Sequence, residues 1–311
     1  MKLPALASPQ RLLSRLFESL SPQLALLMVA TGLGGAGCSS TGSGGSEKFA
    51  SALTFHASFD HGVNADFGKG DLRLMNAPSL DKRAEATPGL PAGGEVQLAE
   101  GVGRFGNALR FVRKSPLMFY QAQGNFTYRT NLWSGTVSFW LSVDPAADLA
   151  MSFCDPIQIT PRSWNDAAFF VEFEKRTNEI PFRLGVYPDF KVWNPQNRKW
   201  EDLPAAEKPL VTVPPPTPFG RGRWTHVAFT FENFNSGRPD GVATVYLNGQ
   251  PAATIPARTQ TFTWDLQQTL VMLGVGYLGL WDELALFNRA LTPAEIAELY
   301  ALPQGVAGLH R

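Results

Sequence analysis

The sequence predicts an all-β protein, a two-sheet antiparallel jelly-roll sandwich with one short C-terminal helix. Three observations indicate this fold class. Short segments alternate between apolar and polar residues, and turn residues separate them. Glycine and proline are frequent, at 29 and 24 of 311 residues, which is typical of many turns and few long helices. Apolar residues make up 44% and aromatic residues 12% of the chain, which is enough for one large core.

The strand segments follow in order from residue 53. They are 53–59, 103–112, 135–143, 167–175, 223–233, 242–255 and 269–287. The first segment alternates strictly, so Phe55 and Phe59 share one face. Asn248 and Gly249 form a strong hairpin dipeptide, which divides the segment at 242–255 into two strands. We expect His226 to be buried and hydrogen-bonded between the two sheets rather than to act as a base.

One helix is predicted at the C-terminus, in the stretch LTPAEIAELY (291–300). Thr292 is the expected N-cap, Pro293 the first helical residue and Glu295 the third, which is the pattern of a capping box. The apolar residues that follow recur at helical spacing. We therefore expect this helix to pack on an edge of the sheet.

The N-terminus has the pattern of a targeting segment. A positive region precedes a short apolar run at 24–30, which is too short to span a membrane. The residues Ala36, Gly37 and Cys38 resemble the cleavage site of a bacterial lipoprotein signal, which implies that Cys38 is lipidated. An ordinary secretory signal that is cut nearby is the alternative. A Gly/Ser-rich stretch follows and is typical of a flexible tether.

These patterns divide the chain into a signal peptide (1–37), a lipidated Cys and tether (38–48), a jelly-roll domain (49–303) and a C-terminal tail (304–311). We expect an exported protein, either anchored at the cell envelope or secreted. Ser39 after Cys38 is compatible with the outer membrane. Cys154 then has no cysteine partner, so no disulfide framework is expected and Cys154 is predicted to be a small buried side chain.

The charge balance excludes some partners. The chain has 27 Lys and Arg against 27 Asp and Glu, and charged residues are only 17% of it. No basic field is present to attract nucleic acid or anionic lipid. Contact with a membrane is therefore expected only through the lipid anchor.

Five phrases occur in a fixed order along the chain. They are GRFGNALRF (103–111), SGTVSFWL (134–141), GRWTHVAFTF (222–231), VYLNGQ (245–250) and DELALFNRALTPAEIAELY (282–300). Together they resemble the laminin-G-like, concanavalin A-like lectin/glucanase domain of bacterial secreted proteins, over roughly 50–303. The resemblance implies two antiparallel sheets, one of them concave, with an aromatic-lined groove. It leaves the function open, because this fold hosts lectins, adhesion modules and glycosidases.

The stretch 184–204 combines aromatic, amide and charged side chains. Sugars present apolar CH faces that stack on aromatic rings and hydroxyls that bond amides and acids, so the mixture is typical of a glycan site. Trp193 and Trp200 are predicted to face each other across a hairpin, with a turn at 194–197 between them. The predicted ligand-binding residues are Trp164, Tyr187, Phe190, Trp193, Asn194 and Trp200. An apolar cover for the sheet and a protein-binding patch are the alternatives.

A hydrolase would need two suitably spaced carboxylates. Glu172 and Glu174 point the same way on one predicted strand, about 6.6–7 Å apart at Cα. Arg176 occupies the third position on that face and is expected to pair with Glu174, which disfavours a general acid there. No G-x-S-x-G motif is present for a nucleophilic serine. The sequence therefore leans against catalysis.

Asp282 raises the question of a metal. By strict alternation it shares the core face of the last strand with Leu280 and Leu284, and a buried carboxylate must be paired or bind a cation. The resemblance implies a structural Ca²⁺ held by a late acid and an early one, for which Asp60 is the match. The alternative is that Asp282 accepts backbone N–H groups.

The sequence thus predicts an exported, non-catalytic, carbohydrate-binding lipoprotein at the cell envelope, with a glycan or polysaccharide as its partner. One alternative is a glycoside hydrolase that uses Glu172 and Glu174. Another is an adhesion module that binds an envelope protein.

Overall fold

A computed structural model describes residues 49–150 and 152–310 of the chain. The predicted signal peptide, the lipidation of Cys38 and the tether lie outside the described residues. Within the described residues, no helix is both long and apolar enough to cross a membrane.

The described residues are mostly strands, as predicted. The strands are β1 (Leu53–Ala57), β2 (Met75–Ala77), β3 (Thr87–Pro88), β4 (Val96–Ala99), β5 (Ala108–Phe111), β6 (Leu117–Gln121), β7 (Trp133–Ser142), β8 (Ser152–Thr160), β9 (Ala168–Lys175), β10 (Phe182–Tyr187), β11 (Leu210–Thr212), β12 (Thr225–Phe234), β13 (Gly241–Leu247), β14 (Gln250–Arg258), β15 (Leu270–Val275) and β16 (Gly279–Phe287). The α-helices are α1 (Pro145–Asp148), α2 (Phe190–Trp193) and α3 (Pro293–Tyr300), and short 3₁₀ turns occupy Leu80–Glu85, Trp200–Asp202, Ala205–Glu207 and Val306–Leu309.

Two antiparallel sheets of eight strands each form the sandwich. The first sheet has the order β14-β13-β12-β7-β16-β5-β4, and β1 also pairs with β16. The second sheet has the order β11-β10-β9-β8-β15-β6-β2-β3. Every strand pair is antiparallel, so the predicted fold class is confirmed.

The main core lies between the two sheets and is rich in aromatic rings. Trp133 is fully buried and stacks on Phe169 of the second sheet at 5.4 Å between centroids. Phe139 and Trp281 stack at 4.9 Å nearby. These large side chains follow from the period-two alternation of β7, β9 and β16, because every second residue of a strand points inward.

The predicted hairpin is present between β13 and β14. Asn248 and Gly249 have φ of 49° and 77°, the two positive values that a type I′ turn requires. The turn also binds the neighbouring strand, because the Asn248 side chain accepts the N–H of His226 at 2.9 Å.

Helix α3 has the capping box that the sequence predicts. The Thr292 hydroxyl accepts the N–H of Glu295, and Glu295 accepts the N–H of Thr292 at 2.9 Å. Ile296 and Leu299 are buried in an outer cluster with Phe287 of β16. The helix therefore covers the outer face of the first sheet, and Val306 of the C-terminal residues joins the same cluster.

The strand β16 departs from simple alternation. The register shifts between Asp282 and Ala285, and Glu283 has a positive φ of 58°. This bulge places Trp281 in the main core together with Leu284. The prediction that Asp282 shares the core face with Leu284 was therefore wrong, because an extra residue reverses the parity.

The surroundings of His226 also differ from the prediction. His226 is fully buried and its Nε2 lies 2.8 Å from the Ser138 hydroxyl, so its hydrogen bond is confirmed. However, its ring packs against Trp140 and Tyr300 of α3, on the outer side of the first sheet. His226 is thus beneath the helix and not between the sheets.

Candidate functional site

The outer face of the second sheet is covered at two places. At one side, Phe119 and Met272 pack with Leu80 of the 3₁₀ turn Leu80–Glu85. At the other side, Phe170 and Tyr187 pack with residues of the segment between β10 and β11. Between these covers, most outer side chains of β8, β9 and β10 are buried or half-buried at the bottom of a recess.

This recess is a cleft of about 600 Å³. Its lining residues come mainly from β8, β9 and β10. They are Phe153, Asp155, Gln158, Trp164, Phe170, Glu172, Glu174, Arg176, Arg183, Tyr187, Trp200, Leu210 and Val275. A volume of this size is typical of a ligand pocket.

Exposed aromatic rings stand around the cleft. Trp164 is 52% exposed and Phe153 is 57% exposed, which is unusual for side chains of this size. Trp164 meets the edge of Tyr187 at 5.5 Å, and Tyr187 stacks on Phe170 at 5.5 Å. Trp200 lies beyond Tyr187 at 6.4 Å. The rings thus form an apolar wall in which Tyr187 and Phe170 are buried, and Trp164 and Trp200 are exposed.

The register of two strands explains the floor of the cleft. In β9 the side chains of Phe170, Glu172 and Glu174 share the outer face, because every second residue points the same way. Across the strand pair, Arg183 lies opposite Glu172, and Gly185 lies opposite Phe170. A Cβ on Gly185 would stand 2.2 Å from the Phe170 ring, so this glycine lets the ring lie flat on the strand.

Two guanidinium groups hold the carboxylates of the floor. Arg183 donates from Nη2 to Glu172 at 2.5 Å, and its Nη1 lies 2.5 Å from Glu174. Arg176 bonds both Glu174 and Glu179. The predicted pairing of Arg176 with Glu174 is confirmed. Arg183, which is buried, also pairs with Glu174 and with the buried Glu172.

The third acid of the floor, Asp155, has a different environment. It is buried and makes no ion pair with any described residue. Burial and the nearby charge of Glu172 raise the pKa of Asp155 well above its usual value. Burial also raises the pKa of Glu172, although Arg183 opposes this effect. Glu172 has the guanidinium of Arg183 as a partner and Asp155 has none, so burial favours the neutral form more strongly at Asp155.

The structure brings together three of the six predicted ligand-binding residues. Trp164, Tyr187 and Trp200 line the cleft. Phe190 instead lines a second, shallower pocket on the far side of the 162–166 loop. The two remaining residues, Trp193 and Asn194, have structural contacts.

Those structural contacts lie in the segment after β10. The indole N–H of Trp193 donates to the Asn165 carbonyl at 2.9 Å. Asn194 is buried and bonds the backbone of Arg198 in both directions. The turn at 194–197 is present, with the Asn197 N–H donating to the Asn194 carbonyl. The predicted hairpin was wrong, because Trp193 ends helix α2 and Trp200 begins a 3₁₀ turn.

Sequence reasoning missed several residues of the floor. Asp155 and Gln158 belong to β8, which was not predicted, because its apolar residues are interrupted by Pro156 and by a bulge. Arg183 was missed because its role depends on its cross-strand partner. The alternation of FRLGVY in β10 was a usable signal, since it places Arg183 and Tyr187 on one face.

The predicted metal residues lie at the loop 103–107, away from the cleft. Asp282 accepts the N–H groups of Arg104 and Phe105 on its Oδ2, at 2.7 and 3.2 Å. Asp60 accepts the N–H of Asn107 at 2.8 Å. Backbone bonding of Asp282, the alternative to a metal, is therefore observed.

One oxygen of Asp282 still lacks a partner. Its Oδ1 is buried without a hydrogen bond. Burial, together with the charges of Glu283 and Asp60, raises the pKa of Asp282 to about 9. An unpaired buried oxygen beside a second carboxylate suits a cation that prefers oxygen ligands. Across residues 49–150 and 152–310, however, no three His, Cys, Asp or Glu side chains form a group that could hold a metal.

Comparisons with known proteins bear on this fold. The family model described as concanavalin A-like lectin/glucanases superfamily matches residues 121–297, more than half of the chain. No curated protein matches the chain.

Solved structures share the fold at low sequence identity. Domain 4 of AbnA, a GH43 extracellular arabinanase from Geobacillus stearothermophilus, in complex with arabinotriose, has a TM-score of 0.50 and 17% identity, and the match covers 79% of this chain and 97% of that domain. The binding domain of botulinum neurotoxin DC in complex with SialylT has a TM-score of 0.51 and 13% identity, over 81% of this chain and 52% of that one. The binding domain of Paraclostridial Mosquitocidal Protein 1 gives 0.50 and 12%, over 81% and 52%. The chain thus spans about half the length of these two toxin domains.

Proposed function

The chain belongs to the concanavalin A-like lectin/glucanases superfamily, and from this premise we propose that it binds carbohydrate, without catalysis, in the cleft on the second sheet. The observation that carries the proposal is the cleft itself, with an exposed Trp164 beside a polar floor. Two of the solved structures of similar fold are complexes with arabinotriose and with SialylT, which supports a carbohydrate as the class of ligand.

The chemistry of the cleft suits a sugar. The exposed ring of Trp164 offers an apolar face for the CH groups of a pyranose or furanose. Gln158 supplies both an amide donor and an acceptor for hydroxyls. Glu172 and Glu174 each direct one oxygen to Arg183, which fixes their positions, and the other oxygen of each carboxylate can accept a hydroxyl. The strand from Phe170 to Glu174 extends about 13 Å, long enough for more than one sugar unit.

A glycan array followed by calorimetry tests the proposal. We expect the protein to bind at least one oligosaccharide, and Trp164→Ala to weaken that binding about tenfold or more, because a stacking platform is removed. Trp224→Ala is the matched control, since Trp224 is half-buried and does not line the cleft. If the Trp164→Ala protein bound the sugar as tightly as the wild type, the proposal that the sugar binds in this cleft would be contradicted.

The absence of catalysis is part of the proposal. Glu172 and Glu174 both direct oxygens to the same Arg183, so these oxygens are engaged by a cation rather than by a substrate. We expect no reducing ends to be released from any polysaccharide that binds. Release that Glu172→Gln abolishes would favour the glycoside hydrolase instead.

We also propose that the chain is exported and anchored through a lipid on Cys38. The support is the signal-like pattern of residues 1–37 and the tether after it. Radiolabelled palmitate should be incorporated by the wild type and not by Cys38→Ala. Secretion of an unlabelled wild-type protein would point to an ordinary signal peptide.

A structural Ca²⁺ at Asp60 and Asp282 is a further proposal. Its support is the buried, unpaired Oδ1 of Asp282 near a second carboxylate. A bound Ca²⁺ would supply a positive charge there and keep Asp282 ionised. It would thereby hold the first strand region and the loop 103–107 together.

A further inference from the structure

We propose that the cleft selects uncharged oligosaccharides and rejects sugars that carry a carboxylate, such as uronic and sialic acids. This inference rests on the proposed function, since it concerns the ligand class of the same cleft. It follows from how the charged side chains of the floor are already paired.

Among the described residues that line the cleft, no guanidinium is free to bind a sugar carboxylate. Recognition of a carboxylate by arginine uses a fork of two N–H donors. In Arg183, the two terminal nitrogens are taken by Glu172 and Glu174. In Arg176, they are taken by Glu174 and Glu179. An acidic sugar would have to displace a carboxylate that the protein itself supplies.

The floor has no net positive charge. The negative charges of Glu172 and Glu174 balance the positive charges of Arg176 and Arg183. Asp155 adds nothing while it is protonated, and it adds a negative charge once it ionises. In either state an incoming carboxylate meets no excess of cations and lies close to two glutamates.

Lys208 is a cation near the rim of the cleft, where it contacts an aromatic ring. The Nζ of Lys208 lies 4.7 Å from the ring centroid of Trp200, in a cation–π contact. Lys208 does not line the cleft. It therefore offers little to a carboxylate that lies over the floor.

Sugar hydroxyls, in contrast, match what the floor leaves open. The Nε–H of Arg183 is buried and has no hydrogen-bond partner, so it is a donor without an acceptor. A hydroxyl oxygen can accept from it without breaking either ion pair. The amide of Gln158 can both donate and accept, and the carboxyl of Asp155 can accept. Specificity here arises from the cost of bringing a second carboxylate to paired, partly buried glutamates.

Matched pairs of sugars test the inference by calorimetry on the wild type. Lactose is compared with sialyllactose, and maltotriose and galactotriose are each compared with the same sugar oxidised at its primary hydroxyls to uronic acids. We expect every neutral sugar that binds to lose about tenfold or more in affinity in its acidic form, since each tenfold step corresponds to about 1.4 kcal/mol.

The variant Glu174→Gln tests the cause of the selection. It removes one floor carboxylate and leaves Arg183 and Arg176 partly unpaired, so the floor gains a positive charge. We expect the difference between neutral and acidic sugars to shrink severalfold. Glu100→Gln makes the same change of net charge outside the cleft and should leave the difference unaltered. A melting curve checks that each variant is folded.

The outcomes separate the two proposals. If neutral sugars bind and their acidic forms bind about tenfold or more weakly, both proposals are supported. Binding of an acidic form as tightly as its neutral counterpart overturns the charge selection and leaves carbohydrate binding intact. A failure of every neutral and acidic sugar to bind overturns the proposed function, and the selection falls with it.

Discussion

Arg183 organises the floor of the cleft at the scale of single residues. Its two terminal nitrogens bridge glutamates that neighbour each other on one strand face, where their like charges would otherwise repel. Its guanidinium also lies 5.5 Å from the centre of the Phe153 ring. One buried side chain therefore connects the acidic part of the floor with an exposed aromatic ring.

Cys154 and Asp155 show how burial sets the chemistry of neighbouring residues. Cys154 faces the core, as predicted, and burial raises the pKa of its thiol to about 11. Such a thiol stays protonated at neutral pH and is a poor nucleophile. Asp155 points to the cleft, and burial also raises the pKa of its carboxyl.

His226 gives a pH-dependent prediction. Burial lowers the pKa of its ring to about 3, so the folded protein keeps it neutral, whereas the unfolded chain takes up a proton near pH 6.5. Its contribution to stability is therefore present above pH 6.5 and lost as pH falls toward 3. Between pH 7 and 5 the wild type should lose about 2 kcal/mol relative to His226→Gln, measured by urea unfolding. A constant difference between the two proteins would contradict the neutral, buried ring.

Local signals define the elements that the sequence predicted best. Helix α3 and the β13–β14 turn depend on residues within a few positions of each other, namely Thr292 with Glu295 and Asn248 with Gly249. The bulge in β16 depends instead on partners far along the chain. For this reason, strict alternation along the strand predicted the wrong sheet face for Asp282.

The cap of helix α3 provides the test at this scale. Arg289 holds Glu295 through two hydrogen bonds of 2.7 and 2.8 Å, and this guanidinium lowers the pKa of Glu295 to about 2. We expect Glu295→Gln to cost about 1 kcal/mol at pH 7, because a capping-box bond remains while the ion pair is lost. Thr292→Ala should cost about 1 kcal/mol through the lost cap.

The pH effect has the same sign as that of His226, but it falls in a more acidic range. The Glu295 contribution is present above the unfolded pKa near 4.5 and is lost as pH falls toward 2. The difference between the wild type and Glu295→Gln should therefore shrink between pH 5 and pH 3. Glu298→Gln, an exposed change on the same helix, is the control. A gap that stays constant with pH would mean that the ion pair contributes nothing.

At the scale of the whole molecule, the alternating segments and turn residues were enough for the fold class. They did not reveal β8 and β10, two of the three strands that form the floor of the cleft. In β8 and β10 both faces are buried or partly buried, so the contrast between polar and apolar positions is weak. Of the six predicted ligand-binding residues, Trp164, Tyr187 and Trp200 lie together at the cleft, and their role in binding stays a prediction.

The calcium proposal is also tested on the whole molecule. Ca²⁺ that binds the folded chain alone raises its melting temperature by mass action. We expect a rise of several degrees in Ca²⁺ relative to EDTA, and loss of that rise in Asp282→Asn. Asp81→Asn, at an exposed turn, should keep it. Equal melting temperatures of the wild type in Ca²⁺ and in EDTA would contradict the proposed metal site.

The central claim is that a sugar occupies the cleft on the second sheet. A crystal structure of the protein with its tightest neutral oligosaccharide tests this most directly. The expected result is a sugar ring against Trp164, with hydroxyls bonded to Gln158 and to the Glu172–Arg183 pair. A sugar bound elsewhere, such as beside the loop 103–107, would contradict the claim.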